Sequence, residues 1–99
     1  MSKIDYQTRK QVYIDAIEKY GHAHQTIKAI EEMSELTKEL CKLLNPDAET
    51  TMDKIADEIA DVTIMLEQLR IMYDINKEVC EHMDLKVERL SQRVYGAAE

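Results

Sequence analysis

The stretch IADEIADVTIMLEQLRIM, Ile55–Met72, decides the fold. Its apolar residues are Ile55, Ala56, Ile59, Ala60, Val62, Ile64, Met65, Leu66, Leu69, Ile71 and Met72, and at helical spacing they cover nearly the whole circumference. A helix apolar all round is buried on several sides. Four short helices of one chain do not easily supply that cover, so the pattern predicts a partner chain. Into this helix two carboxylates intrude, Glu58 and Asp61.

Working outward, the chain reads as three further helices. Upstream, about Asp5 to Tyr20 carries Val12, Tyr13, Ala16, Ile17 and Tyr20 at helical spacing, and Gly21 is a natural stop. From about His22 to Leu44 an apolar stripe runs through Ala29, Ile30, Met33, Leu36, Leu40, Leu43 and Leu44. It ends at Asn45-Pro46, because the residue before proline is pushed out of the α region. The central helix starts near Thr50 or Thr51, where Thr50 and Asp53 resemble a capping box, and continues to about Tyr73. A fourth helix begins at Asn76, a good N-cap with Glu78 in the first turn, and ends near Gly96. The expected class is all-α, with residues 1–99 forming one domain.

Composition agrees. Two Gly and one Pro leave little material for hairpin turns, which excludes a β-rich fold. Twenty acids against thirteen bases give a net charge of −7, which argues against nucleic acid as a partner. A small phosphorylated ligand stays admissible if cations mask the local carboxylates. No signal-like segment stands in MSKIDYQTRK and no apolar run nears a membrane span, so the expected location is the cytoplasm, without a membrane partner. Cys41 and Cys80 form no C-x-x-C unit and lie in apolar-periodic stretches, where they read as reduced core thiols.

Carboxylates three residues apart on a helix project in one direction, the geometry a hard divalent cation needs. The spacing alone is weak, since a chain with this many acids yields about four such pairs by chance. Five occur: Asp15/Glu18, Glu32/Glu35, Glu58/Asp61, Glu78/Glu81 and Glu81/Asp84. Context separates them. Glu58 and Asp61 interrupt the most apolar helix, where ionised carboxylates cost several kcal/mol unless paired, protonated or metal-bound. Lys54, one turn before Glu58, is the nearby basic partner, and one lysine does not satisfy both acids. Glu32 and Glu35, with Glu31 beside them, have Ala29, Met33 and Leu36 adjacent. Antiparallel packing of the two helices would make these acids converge. The competing reading is two exposed acidic stripes on a non-catalytic helical bundle that acts through protein contact.

EEMSEL (Glu31–Leu36) followed by DEIADV (Asp57–Val62) resembles the E-E-x-x-E … E-x-x-D signature of the MazG-like, all-α nucleoside triphosphate pyrophosphohydrolase superfamily. The upstream KYGHAHQTIKAIEEMSEL is similar to the leading segment of phage and bacterial members, and the likeness spans roughly Lys19 to Arg93. The resemblance implies a four-helix protomer assembling into an oligomeric bundle, a dimer or tetramer. It implies that Glu32, Glu35, Glu58 and Asp61 ligate magnesium, for which manganese can substitute, and that Glu31 orients water or acts as general base. The substrate would be a nucleoside triphosphate cleaved between the α- and β-phosphates, in a house-cleaning or pool-control role. Lys54 stands where these enzymes carry a lysine. KVERLSQRVYG resembles their K-x-x-x-N-x-x-R tail through Lys86 and Arg93, but Leu90 replaces the Asn, with Arg89 adjacent as a compensating base. Lys54, Lys86 and Arg89 are thus the candidate phosphate-binding residues, whereas Arg93 reads better as solvated surface.

His22, His24 and His82 form no E-x-x-H unit, so a di-iron carboxylate bundle is not expected. Gln25, two turns before Glu32 on a similar face, reads first as a surface or interhelical hydrogen bond and second as a ligand contact.

Overall fold

The computed structural model describes residues 3–96 and is helical throughout, with no strand among those residues. The helices are α1 (Tyr6–Tyr20), α2 (His22–Leu44), α3 (Met52–Met72) and α4 (Asn76–Val94). Residues 1–2 and 97–99, which the expected single domain includes, lie outside the described residues.

Local chemistry accounts for the helix ends. Asp5 caps α1 by accepting the Thr8 amide at 2.7 Å, and this bond holds its carboxyl below the ordinary range. Gly21 sits at φ 92°, a conformation open to glycine, and its amide closes α1 on the Ile17 carbonyl at 2.8 Å. Its own carbonyl then accepts the Gln25 amide, so one residue ends α1 and starts α2.

Two caps differ from the sequence reading. Thr51, not Thr50, caps α3, accepting the Lys54 amide at 3.1 Å. Thr50 is diverted to Glu39 on α2, a long-range partner invisible to a local motif. At α4 the N-cap position is Ile75, which has no capping side chain, and the Asn76 amide oxygen accepts Arg70 Nη1 at 3.3 Å instead. The preceding turn is closed by α3's own carbonyls. Asp74 adopts a left-handed φ of 52°, its amide bonds to Ile71, and the Ile75 amide reaches back to Arg70. This is a Schellman-type stop with aspartate in the place glycine usually fills.

α2 and α3 form the main contact and run antiparallel: Gln25 meets Gln68, Glu32 meets Asp61, and Glu39 meets Thr50, in opposite chain order. α1 lies across both, whereas α4 touches α3 alone. The apolar core is small: Tyr13, Ile17, Ala29, Ile55, Met65 and Met72. Four polar residues are buried beside it, Gln25, Glu39, Glu58 and Gln68.

One chain covers one side of α3. Ile59, Ile64 and Leu66 stay 39–48% exposed, so the burial on several sides expected from the sequence is not achieved within the single chain. Cys41 and Cys80 are both exposed, which corrects their reading as core thiols. Cys80 lines an open cleft with Tyr6 and Lys10 of α1 and Arg70 of α3, which leaves its thiol accessible. No helix among the described residues is long and apolar enough to cross a membrane.

Candidate metal centre

The face α2 turns toward α3 carries Gln25, Ala29, Glu32, Leu36 and Glu39 in order. Gln25, Glu32 and Glu39 repeat every seven residues, alternating with apolar Ala29 and Leu36. This is a helix–helix seam with polar side chains where apolar knobs ordinarily sit. Each level is satisfied differently.

At one end Gln25 Nε2 donates to Gln68 Oε1 at 2.7 Å, and His24 Nδ1 lies 2.7 Å from Gln25 Oε1. The interhelical reading of Gln25 is therefore the one the structure bears out. At the other end buried Glu39 accepts Thr50 Oγ1 at 2.7 Å and Lys42 Nζ at 3.2 Å. These contacts, the threonine bond foremost, hold its carboxyl below the ordinary glutamate range. They also tie the α2–α3 loop to α2.

The middle level is acidic. One ligand oxygen from each of Glu32, Glu58 and Asp61 lies within 4.8 Å of the others, the only such group of three among the described residues. Glu58 is buried, and Glu32 and Asp61 are half-buried. Removal from water pushes the Glu58 carboxyl above its usual range. Lys54 opposes that shift, while Asp61, Glu35 and Asp57 add to it. Glu32 has a cationic neighbour on its own helix, Lys28 at 3.4 Å. These are three oxygen donors from two helices, one held away from water, the donor type that hard divalent cations take.

The structure thus joins one member of the α2 acidic pair to both members of the α3 pair. Glu35 is exposed and outside the three, but lines the adjoining cleft with Glu58. Glu31 is also exposed and outside the cluster. Lys54 lines the same cleft, together with Lys38, Lys42 and Thr50. Lys86 and Arg89 are exposed on α4, which does not touch α2, and neither lines this cleft in the single chain.

Glu39, Lys28, Lys38 and Lys42 were not singled out from the sequence. The first was legible, because it repeats Glu32 after two turns on the same face. His22 and His24 belong instead to the α1–α2 junction, where His22 meets Tyr73 edge-on and Tyr20 stacks on His24. No tyrosine lines the cleft beside the acids.

Comparison with protein-family models, with curated proteins and with solved structures finds no match to this chain.

Proposed function

We propose that this chain is a magnesium-dependent nucleotide pyrophosphohydrolase that works as an oligomer. The observation that carries the proposal is the convergence of Glu32, Glu58 and Asp61, with Glu58 buried and its carboxyl raised. Three carboxylates placed so closely repel one another, and a bound divalent cation relieves that repulsion. Magnesium, when bound, supplies charge neutralisation for phosphates and a water of lowered pKa.

The chain's own groups supply the rest. Glu32, Glu58 and Asp61 hold the cation, and Glu35 at the cleft edge extends the ligand set. Lys54 and Lys38 line the cleft and form no ion pair among the described residues, so their ammonium groups suit phosphate oxygens, whereas Lys42 is engaged by Glu39. Glu31 is the candidate to orient water or accept its proton, a role that needs hydrogen-bond reach once substrate is bound. The sequence resemblance directs this site to nucleoside triphosphates, cleaved to monophosphate and pyrophosphate.

Isothermal titration with magnesium and a non-hydrolysable nucleotide tests the site. Both should bind, and binding of neither sinks the proposal. A screen over ribo- and deoxynucleoside triphosphates for pyrophosphate release then tests the reaction. A non-catalytic bundle acting through protein contact is the second reading, favoured by the uncovered apolar residues of α4. It predicts no pyrophosphate release from any nucleotide.

A further inference from the structure

Along the α2–α3 seam the charge changes sign. The helices run antiparallel, so going from Glu32 to Glu39 on α2, or from Asp61 back to Thr51 on α3, leads to the same connecting loop. The acidic cluster occupies the middle level. Lys54 stands four residues nearer the loop than Glu58, and Lys38 six residues beyond Glu32. These offsets amount to about 6 Å and about 9 Å along the helix axes. Both lysines line the cleft of about 510 Å³ that adjoins the cluster, a volume in the range of small-molecule sites.

The remaining charges sharpen the contrast. Buried Glu39, at the loop end, is satisfied by Thr50 Oγ1 and Lys42 Nζ. Among the residues lining that end, Lys38 and Lys54 then stand against one exposed carboxylate, Glu49. On the other side of the cluster the nearest cation is Lys28, which Glu32 engages at 3.4 Å. Beyond it lies the neutral, buried Gln25–Gln68 pair. Unpaired positive charge along the seam is thus found on the loop side of the acids.

We infer that the nucleotide lies along this seam with its β- and γ-phosphates toward the loop, so that Lys38 and Lys54 receive the departing pyrophosphate. This rests on the pyrophosphohydrolase reading and gives it a direction. In the reaction a water oxygen bonds to the α-phosphorus, and the bond from that phosphorus to the α–β bridging oxygen breaks. The bridging oxygen leaves with the electron pair as part of pyrophosphate, and one proton of the water passes to a carboxylate of the site. Negative charge therefore grows on the pyrophosphate side. Ammonium groups stationed there stabilise the transition state more than the ground state.

Isothermal titration of the full chain in magnesium tests the direction, with inorganic pyrophosphate as one probe and the ribo- and deoxynucleoside monophosphates as the others. Wild type should bind pyrophosphate. Lys38→Ala and Lys54→Ala should each weaken that binding about tenfold, the loss of one charge-assisted hydrogen bond, and leave monophosphate binding as in wild type. Lys77→Ala, on exposed α4 and outside the cleft, should leave pyrophosphate binding unchanged, which separates a local contact from a general loss of positive charge. Circular dichroism follows helix content, and Lys38→Gln or Lys54→Gln replaces any alanine variant that loses helix.

Pyrophosphate binding that neither lysine variant weakens overturns the direction. So do losses that fall on a monophosphate instead of, or equally with, pyrophosphate. A wild-type chain that binds magnesium but not pyrophosphate overturns the direction alone. One that binds neither magnesium nor any of these phosphates overturns the pyrophosphohydrolase reading as well.

Discussion

Two buried glutamates one helix apart have opposite titration behaviour, because their surroundings differ. Burial away from water, with Asp61, Glu35 and Asp57 adding to it and Lys54 opposing it, raises the Glu58 carboxyl, so its ionised form opposes folding. Its folded pKa lies above the unfolded value, and the penalty therefore applies at neutral pH and disappears as pH falls through the raised value. Glu58→Gln should raise the melting temperature of metal-free protein at pH 7, and that gain should vanish in acid. The same change should weaken magnesium binding by at least about tenfold and abolish pyrophosphate release, since it removes a charged ligand. Glu39 has the reverse sign. Threonine and lysine donors lower its pKa, so it contributes stability above the ordinary glutamate range and loses it as pH falls through the folded value. Glu39→Gln should lower the melting temperature at pH 7 and converge with wild type in acid. Thermal melts of both variants between pH 3 and pH 8 check these signs, the range spanning the ordinary glutamate pKa of about 4.3.

Among the helices, stability is set by caps and by the one buried amide pair. Thr51→Ala removes the α3 cap bond and should cost about 1 kcal/mol, lowering the melting temperature by about 4–8 °C. Gln68→Leu strands the Gln25 amide inside the α2–α3 seam and should cost about 1–3 kcal/mol. The double change Gln25→Leu/Gln68→Leu should recover most of that loss, because no buried donor is then left unpaired. Denaturant titration distinguishes the single from the double variant. The acidic pairs Glu78/Glu81 and Glu81/Asp84 share the spacing of Glu58/Asp61 but lie on exposed α4. Glu78→Gln and Glu81→Gln should leave pyrophosphate release unchanged in steady-state assays, and an equal loss would show that the reacting carboxylates lie elsewhere.

At the scale of the molecule, the single chain is open, with a radius of gyration of 17.0 Å. Its polar seam lies between α2 and α3, and exposed apolar residues are spread over the outer sides of α2, α3 and α4, among them Ile30, Leu40, Ile59, Ile64, Val87 and Leu90. Lys86 and Arg89 sit on that unpartnered helix, away from the cleft of their own chain. Any part they take in phosphate binding therefore requires a neighbouring copy. Arg89→Ala should lower substrate affinity only in protein that self-associates, a difference visible by comparing nucleotide binding above and below the association midpoint.

Much of this was legible along the chain because it is local. Gly21 and Asn45-Pro46 end helices through backbone sterics that neighbours in space do not alter, and helical periodicity set the number and span of the elements. Glu58 announced its need for a partner through the apolar residues on either side. What the chain order left open was the rotation of α2 and α3 about their own axes. Once these pack, that rotation selects Glu32 rather than Glu35 to meet Glu58 and Asp61, and brings Glu39 onto Thr50, so a cap motif read at Thr50 moves to Thr51. Side-chain convergence depends on contacts tens of residues apart, which spacing within one helix does not encode. The cysteines and the outer side of α3 follow the same logic: apolar patterning shows that a surface seeks cover, and only the tertiary structure shows that one chain leaves it uncovered.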